Sequence, residues 1–231
     1  MKQLHAAVLA LLITLYAFNA GAESFQVLDD SVAVREAFAE AAFRAEYDAK
    51  GTDALRRWEQ PVLIWAGGAL TEEDLARLYS FATELNSKVD GLPLVSVVEE
   101  QEIANLKIQF APLAELSQLD SSYVEGNWGY FTFWYDAAQA IYKASILIAS
   151  DVTSQRERNH LLLEELVGAL GLPNDIENEP DSIIYQPWTT TQELSALDWQ
   201  LLNLVYDENL RPGMTWAQAQ SALGWDQPNG E

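Results

Sequence analysis

The 231-residue chain contains no cysteine and only two histidines, His5 and His160. The first absence removes disulfides, thiolate nucleophiles, sulfur-ligated metals and a lipid-bearing cysteine. The second restricts catalysis. A zinc site of the usual kind needs two or three His or Cys ligands, and a Ser-His-Asp arrangement outside the N-terminal segment would have to use His160. Basic residues are also scarce: 13 Lys and Arg stand against 35 Asp and Glu, for a net charge of -22. That field repels phosphate backbones and anionic lipid, so no nucleic acid is expected as a partner. A cation, a basic partner or a plain solvated acidic surface fits the same charge. Carboxylate chemistry, an oxygen-ligated metal or no catalysis is what the composition leaves open.

Long apolar runs are missing beyond the first 22 residues. Within that segment Lys2 precedes an apolar run from Ala6 to Phe18, and Ala20-Gly21-Ala22 fits the small-x-small rule for signal peptidase. The run is too short for a membrane span. Residues 1–22 are therefore read as a signal peptide, the protein as exported to the periplasm or secreted, and no membrane span is expected after cleavage. The length of the remainder, 23–231, suits a single domain, and 49% hydrophobic residues supply a sizeable core.

Periodicity places the elements. Apolar residues at helical spacing run from Ser31 to Lys50 and stop at Gly51. The stretch Pro-Val-Leu-Ile-Trp-Ala-Gly-Gly from Pro61 reads as a buried strand. Thr71 and Asp74 resemble a capping box, and Leu75, Leu78, Ala82, Leu85 and Val89 follow on one helix face. Strands are predicted at 94–98, 106–110, 128–135 and 140–150. A helix capped by Ser154 and Glu157 ends at Gly171 and Pro173. After a polar loop, 174–191, come a helix over 194–206 and a short one after Thr215. This order predicts an α+β fold with a mixed, mostly parallel sheet, an antiparallel edge strand and long helices packed on it.

One stretch carries chemistry. Arg158 to Asp175 reads RNHLLLEELVGALGLPND. Its Leu-Gly-Leu-Pro ending resembles the active-site helix of the metzincin metalloproteases, especially the matrixin branch. Laid on that signature, Glu164 falls at the first zinc-histidine position, Glu165 at the catalytic glutamate, Gly168 at the second histidine and Asn174 at the third. Downstream, Ser182-Ile183-Ile184-Tyr185 resembles the methionine turn, with Ile184 in place of methionine. Leu194, Ser195, Asp198, Leu202 and Tyr206 match the family's final helix. With strand order included, the resemblance covers a core of about 57–206, flanked by an N-terminal helix and a C-terminal helical extension. The chain also resembles a proteobacterial family of exported proteins and lipoproteins of unknown function, through the Glu-Glu...Leu-Gly-Leu-x-Asn-Asp stretch, an Arg57-Trp58 opening and a Leu210-to-Met214 close.

The departures from the metzincin pattern bear on function. Glycine has no ligating side chain, and asparagine is a weak neutral ligand for zinc. The resemblance therefore implies the fold without the zinc mechanism, and no cofactor is expected. If a metal were held, His160, Glu164 and Asp175 are the fallback ligands, and Ca or Mg would suit their oxygens better than zinc. Glu165 with Glu164 reads either as an acid-base pair whose proximity raises one pKa, or as a structural network bonding the 174–182 loop. His160, one turn before Glu164, reads as a ligand or as a buried structural histidine. Gly168 in mid-helix costs about 1 kcal/mol relative to Ala and signals close approach of a ligand or close packing on the sheet. Tyr185 is a candidate oxyanion donor if chemistry occurs nearby. Asn174, Asp175, Trp128, Tyr130 and Trp134 are candidate cleft-binding residues, since the metzincin edge strand binds extended peptides. The same aromatic strand, apolar on both faces, equally suits ordinary burial. The expected function is a pseudoenzyme or binding module for a peptide or envelope polymer. The alternative is a carboxylate-based or hard-metal hydrolase.

Overall fold

A computed structural model describes residues 32–43 and 54–226. The signal peptide expected in residues 1–22 and the second half of the first expected helix lie outside them. Helix α1 covers Val32–Phe43. Strands β1 (Arg57–Trp58) and β2 (Val62–Gly68) follow, then α2 (Glu72–Lys88), β3 (Val95–Val97) and β4 (Leu106–Ala111). A 3-10 turn leads into the short α3 (Leu116–Leu119), which periodicity did not reveal because four residues carry no repeat. Strands β5 (Gly129–Tyr135) and β6 (Ala140–Ala149) precede α4 (Gln155–Ala169), α5 (Ala196–Val205) and α6 (Trp216–Ala222).

The six strands form one mixed sheet. β6 pairs in parallel with β1 and β4, β4 with β2, and β2 with β3, while β5 joins β6 antiparallel. This is the expected fold class: mostly parallel, with an antiparallel edge strand and long helices packed on the sheet. The residues explain the layers. Leu106, Ile108 and Phe110 of β4, and Ala144, Ile146 and Ile148 of β6, are buried in the core that also takes Leu162, Leu163 and Leu166 of α4. Leu78, Phe81 and Leu85 of α2 enter the same core. β4 alternates, with Lys107 and Gln109 half-buried between the core residues, as in a strand with one face turned to the core.

Both predicted capping boxes are present. Thr71 Oγ1 accepts from the Asp74 amide, and Ser154 accepts from the Glu157 amide. Asp74 does more than cap: its carboxylate also accepts from Gln155 Nε2 (2.5 Å) and Arg158 Nε (3.3 Å). The start of α2 is thereby tied to the start of α4. At the far end of α4 two side chains satisfy orphan carbonyls. Trp58 Nε1 donates to Ala169 (2.9 Å) and the Tyr206 hydroxyl to Leu170 (2.7 Å). Gly171 then turns the chain with φ +123, and a Cβ there would meet the Arg56 carbonyl at 2.6 Å. The Arg57-Trp58 opening and the Leu210-to-Met214 close meet in a clasp. Leu55 exchanges backbone bonds with Gly213 and Met214 (2.8 Å each), while Arg57 Nη1 reaches the carbonyls of Val205 and Asp207.

Candidate functional site

Three segments enclose a cavity of about 940 Å³: β5 and its approach, the face of α4 from His160 to Gly168, and the chain from Leu172 to Thr189. The two stretches of the metzincin resemblance are brought together here. The Ile176 amide donates to the Ile184 carbonyl (2.9 Å) and the Gln186 amide to the Ile176 carbonyl (3.0 Å), so the turn after α4 pairs with the Ser-Ile-Ile-Tyr bend.

β5 is one wall. Its bonding phase follows from its neighbours. The Ala149 amide donates to the Trp128 carbonyl (2.7 Å), and Ala144 and Ser150 turn their amides the other way, to Asn105 and Ala111. In an antiparallel pair, hydrogen-bonded and non-bonded positions alternate. With Tyr130 opposite Leu147, Thr132 opposite Ser145 and Trp134 opposite Lys143, residues 130, 132 and 134 bond β6. The backbone groups of Gly129, Phe131 and Phe133 therefore face the open edge. The side chains of that same parity, Phe131, Phe133 and Tyr135, form a ladder with ring centroids 5.9 and 6.2 Å apart, and all three line the cavity.

This corrects part of the sequence reading. Trp128 and Tyr130 line the cavity, but Trp134 is not among its lining residues; Lys143 Nζ lies 4.3 Å from its ring centroid. Parity does not separate Trp134 from Trp128, Tyr130 and Thr132, which do line the cavity; its ring is instead engaged by Lys143 across the strand pair. Nor is β5 an ordinary buried strand, since none of its residues is fully buried. The overlooked signal was Gly129, which shares parity with the phenylalanines and so marks the face pressed against α4. Trp188, also unanticipated, is 53% exposed and meets Trp128 edge-on at 5.5 Å.

The floor holds the carboxyls. Glu165 is 8% exposed and lines the cavity, yet among the described residues its carboxyl has no hydrogen-bond partner. Burial first, then the charges of Glu164 and Asp175, push its pKa well above the ordinary value. Burial and then Asp175 push Glu164 up to about 8. Glu164 is thus biased to hold a proton at neutral pH, and Glu165 is shifted in the same direction. Glu164 Oε2 lies 3.4 Å from His160 Nε2, and His160 Nδ1 is 2.9 Å from the Thr191 carbonyl. A carbonyl accepts only, so Nδ1 carries the ring proton and Nε2 faces Glu164. Burial lowers the His160 pKa, with the Thr191 carbonyl opposing. His160 is thereby a buried neutral histidine.

Among the described residues Glu164 is paired with His160, and the hydrogen bonds that hold the 174–182 loop come from elsewhere than Glu164 and Glu165, which the structural reading did not anticipate. Asn174 Nδ2 donates to the Glu40 and Ala41 carbonyls of α1 (3.3 and 3.1 Å), and its amide also reaches Ala41 (3.2 Å). Asp198, fully buried at the start of α5, accepts from the Ser182 hydroxyl (2.5 Å), the Ile183 amide (2.9 Å) and the Ser195 amide (2.7 Å). Tyr185 and Asp175 line the cavity, Tyr185 half-buried.

The residues at the metzincin ligand positions do not fit a zinc ion. A Cβ on Gly168 would stand 2.5 Å from the Phe131 ring, so that ring occupies the space a second ligand would need. Asn174 spends its amide on α1. Among the described residues no group of three His, Cys, Asp or Glu side chains is placed to hold a metal, the set His160, Glu164 and Asp175 included.

The sequence pattern of a family described as "Protein of unknown function (DUF2927)" matches residues 31–224. No curated protein matches the chain. Two solved structures of myroilysin are similar: one at 14% identity and TM-score 0.43, covering 68% of this chain and 100% of that one, the other at 12% and 0.45, covering 73% and 92%.

Proposed function

This chain belongs to the DUF2927 family, and we propose that it is an exported cleft-binding protein on a metzincin-like frame without the zinc chemistry. It takes an extended peptide, or an envelope polymer with peptide character, as an added strand along β5. The supporting observation is the open edge of β5, where the backbone groups of Gly129, Phe131 and Phe133 face a cavity floored by α4. An added strand gains main-chain hydrogen bonds worth about 1 kcal/mol net each. Its alternate side chains meet the aromatic ladder, the source of specificity in strand addition.

The test is amide hydrogen exchange of the full chain with and without an extended nonapeptide of alternating valine and threonine. Protection rising at Gly129, Phe131 and Phe133, and not at the β6-bonded amides of 130, 132 and 134, is the expected result. Unchanged exchange along β5 at saturating peptide would sink the proposal. Export is tested by N-terminal sequencing of the protein from periplasm or medium, where a start at Glu23 is expected.

A second reading rests on Glu165. A carboxyl that keeps its proton beside a second acid suits general acid catalysis, which makes a metal-free hydrolase the alternative. Wild type and Glu165→Gln assayed against peptides and glycosides decide it; a variant as active as wild type, or no turnover by either, removes it.

A further inference from the structure

We propose that the cleft has a subsite for a cationic side chain, the ammonium of lysine or the guanidinium of arginine, at the end of β5 where Glu165 lies under Gly129. The inference deepens the strand-addition reading and rests on it.

Four observations meet at this point. Glu165 is more than nine-tenths buried, lines the cavity and has no hydrogen-bond partner among the described residues. Its carboxyl opens onto the cavity, where a ligand group can take the place of solvent. Second, Glu164 and Asp175 act electrostatically on it, and a cation placed beside these carboxyls favours their ionised forms, so binding itself draws out the negative charge that holds it. Third, Trp128 and Trp188 line the same cavity as the acids. Trp188 meets Trp128 on one side and the His160 ring on the other, both at 5.5 Å. Acids and aromatic rings lining one cavity match a cation, which gains from both charge and ring quadrupole. Fourth, Arg56 is the one Lys or Arg among the described lining residues. It is engaged at the far end of β5, 4.5 Å from the Tyr135 ring centroid and 3.1 Å from Gln139 Oε1.

Register decides which ligand residue is read. Directly opposed residues on an antiparallel ladder project their side chains to the same face. Opposite Phe131 or Phe133 a ligand side chain meets a phenyl ring. Opposite Gly129 it meets no side chain, and the next group down is the Glu165 carboxyl: a Cβ on residue 129 would lie 2.2 Å from Oε1. A long, flexible cation at that one position of the bound strand reaches the acid.

The experiment compares three labelled valine-threonine nonapeptides by fluorescence polarisation on the full chain. The central residue is lysine, norleucine or glutamate. Lysine is expected to bind at least about tenfold more tightly than norleucine, and glutamate least. In Glu165→Gln the lysine-to-norleucine ratio should collapse to within about twofold, and in Trp188→Ala it should fall several-fold. Trp188 is exposed, so that variant tests the subsite without a buried change. Thermal unfolding of both variants confirms that they are folded. Norleucine and lysine peptides binding equally would overturn the cationic subsite and leave strand addition standing. A ratio that survives in both variants would overturn this location. No binding by any peptide would overturn strand addition and the subsite with it.

Discussion

Gly129 and Glu165 share one space: Oε1 of the acid lies 2.2 Å from where a Cβ on residue 129 would be. The strand approaches α4 this closely because it lacks a side chain there. Gly129→Ala must displace a buried carboxyl, with a loss of about 1–3 kcal/mol typical of overpacking. Denaturant unfolding checks this. Gly129→Ala combined with Glu165→Ala should be more stable than the sum of the two single losses, since the clash is then gone.

Stability should fall with rising pH through Glu165. Its carboxyl is held above 4.5 in the folded chain by burial first and by Glu164 and Asp175 second. Above that pH the folded chain keeps a proton that the unfolded chain has released, so alkalinity favours unfolding. Glu165→Gln removes the linkage. Its melting temperature relative to wild type should rise as pH climbs above the ordinary carboxylate range and level off once the folded acid ionises, read by calorimetry. A constant difference would mean that the acid ionises freely.

Gly168 and Phe131 form a second fitted pair. Gly168→Ala would gain about 1 kcal/mol of helix propensity, but the new methyl meets the Phe131 ring at 2.5 Å. The net effect expected is destabilisation, by about 1–3 kcal/mol. In a Phe131→Leu background the same change should cost less, and a double-mutant cycle measures the coupling.

Asp198→Ala should be among the most damaging single changes. It leaves the Ser182 hydroxyl and the Ile183 and Ser195 amides without their acceptor inside the core. Each orphaned donor costs about 1–3 kcal/mol. Loss of cooperative unfolding in near-ultraviolet circular dichroism is the expected readout.

Much of the fold was legible because its punctuation is local. Thr71 with Asp74, Ser154 with Glu157 and Gly171 before Pro173 each mark a helix end within a few residues. The pairing of the Leu-Gly-Leu-Pro turn with the Ile184 bend followed from resemblance alone, since no short-range rule links residues that far apart. The site was less legible. Alternation gave two faces to β5; Gly129 hinted at which one turns to the helix, and the packing of Phe131 on Gly168 shows it. The partner of Asn174 is α1 and that of the Ser182 turn is Asp198, both distant in sequence. The clasp between Leu55 and Met214 likewise gives the Arg-Trp and Leu-Arg-Pro-Gly-Met stretches a structural task that their residues alone did not reveal.

The phenyl ring lodged over Gly168 ties the two positions together. A bulky side chain such as histidine introduced at 168 is driven into the ring, and trimming the ring first opens a void beside the helix. A change at either position alone therefore passes through a less stable intermediate, so residues 131 and 168 can be replaced together more readily than one at a time.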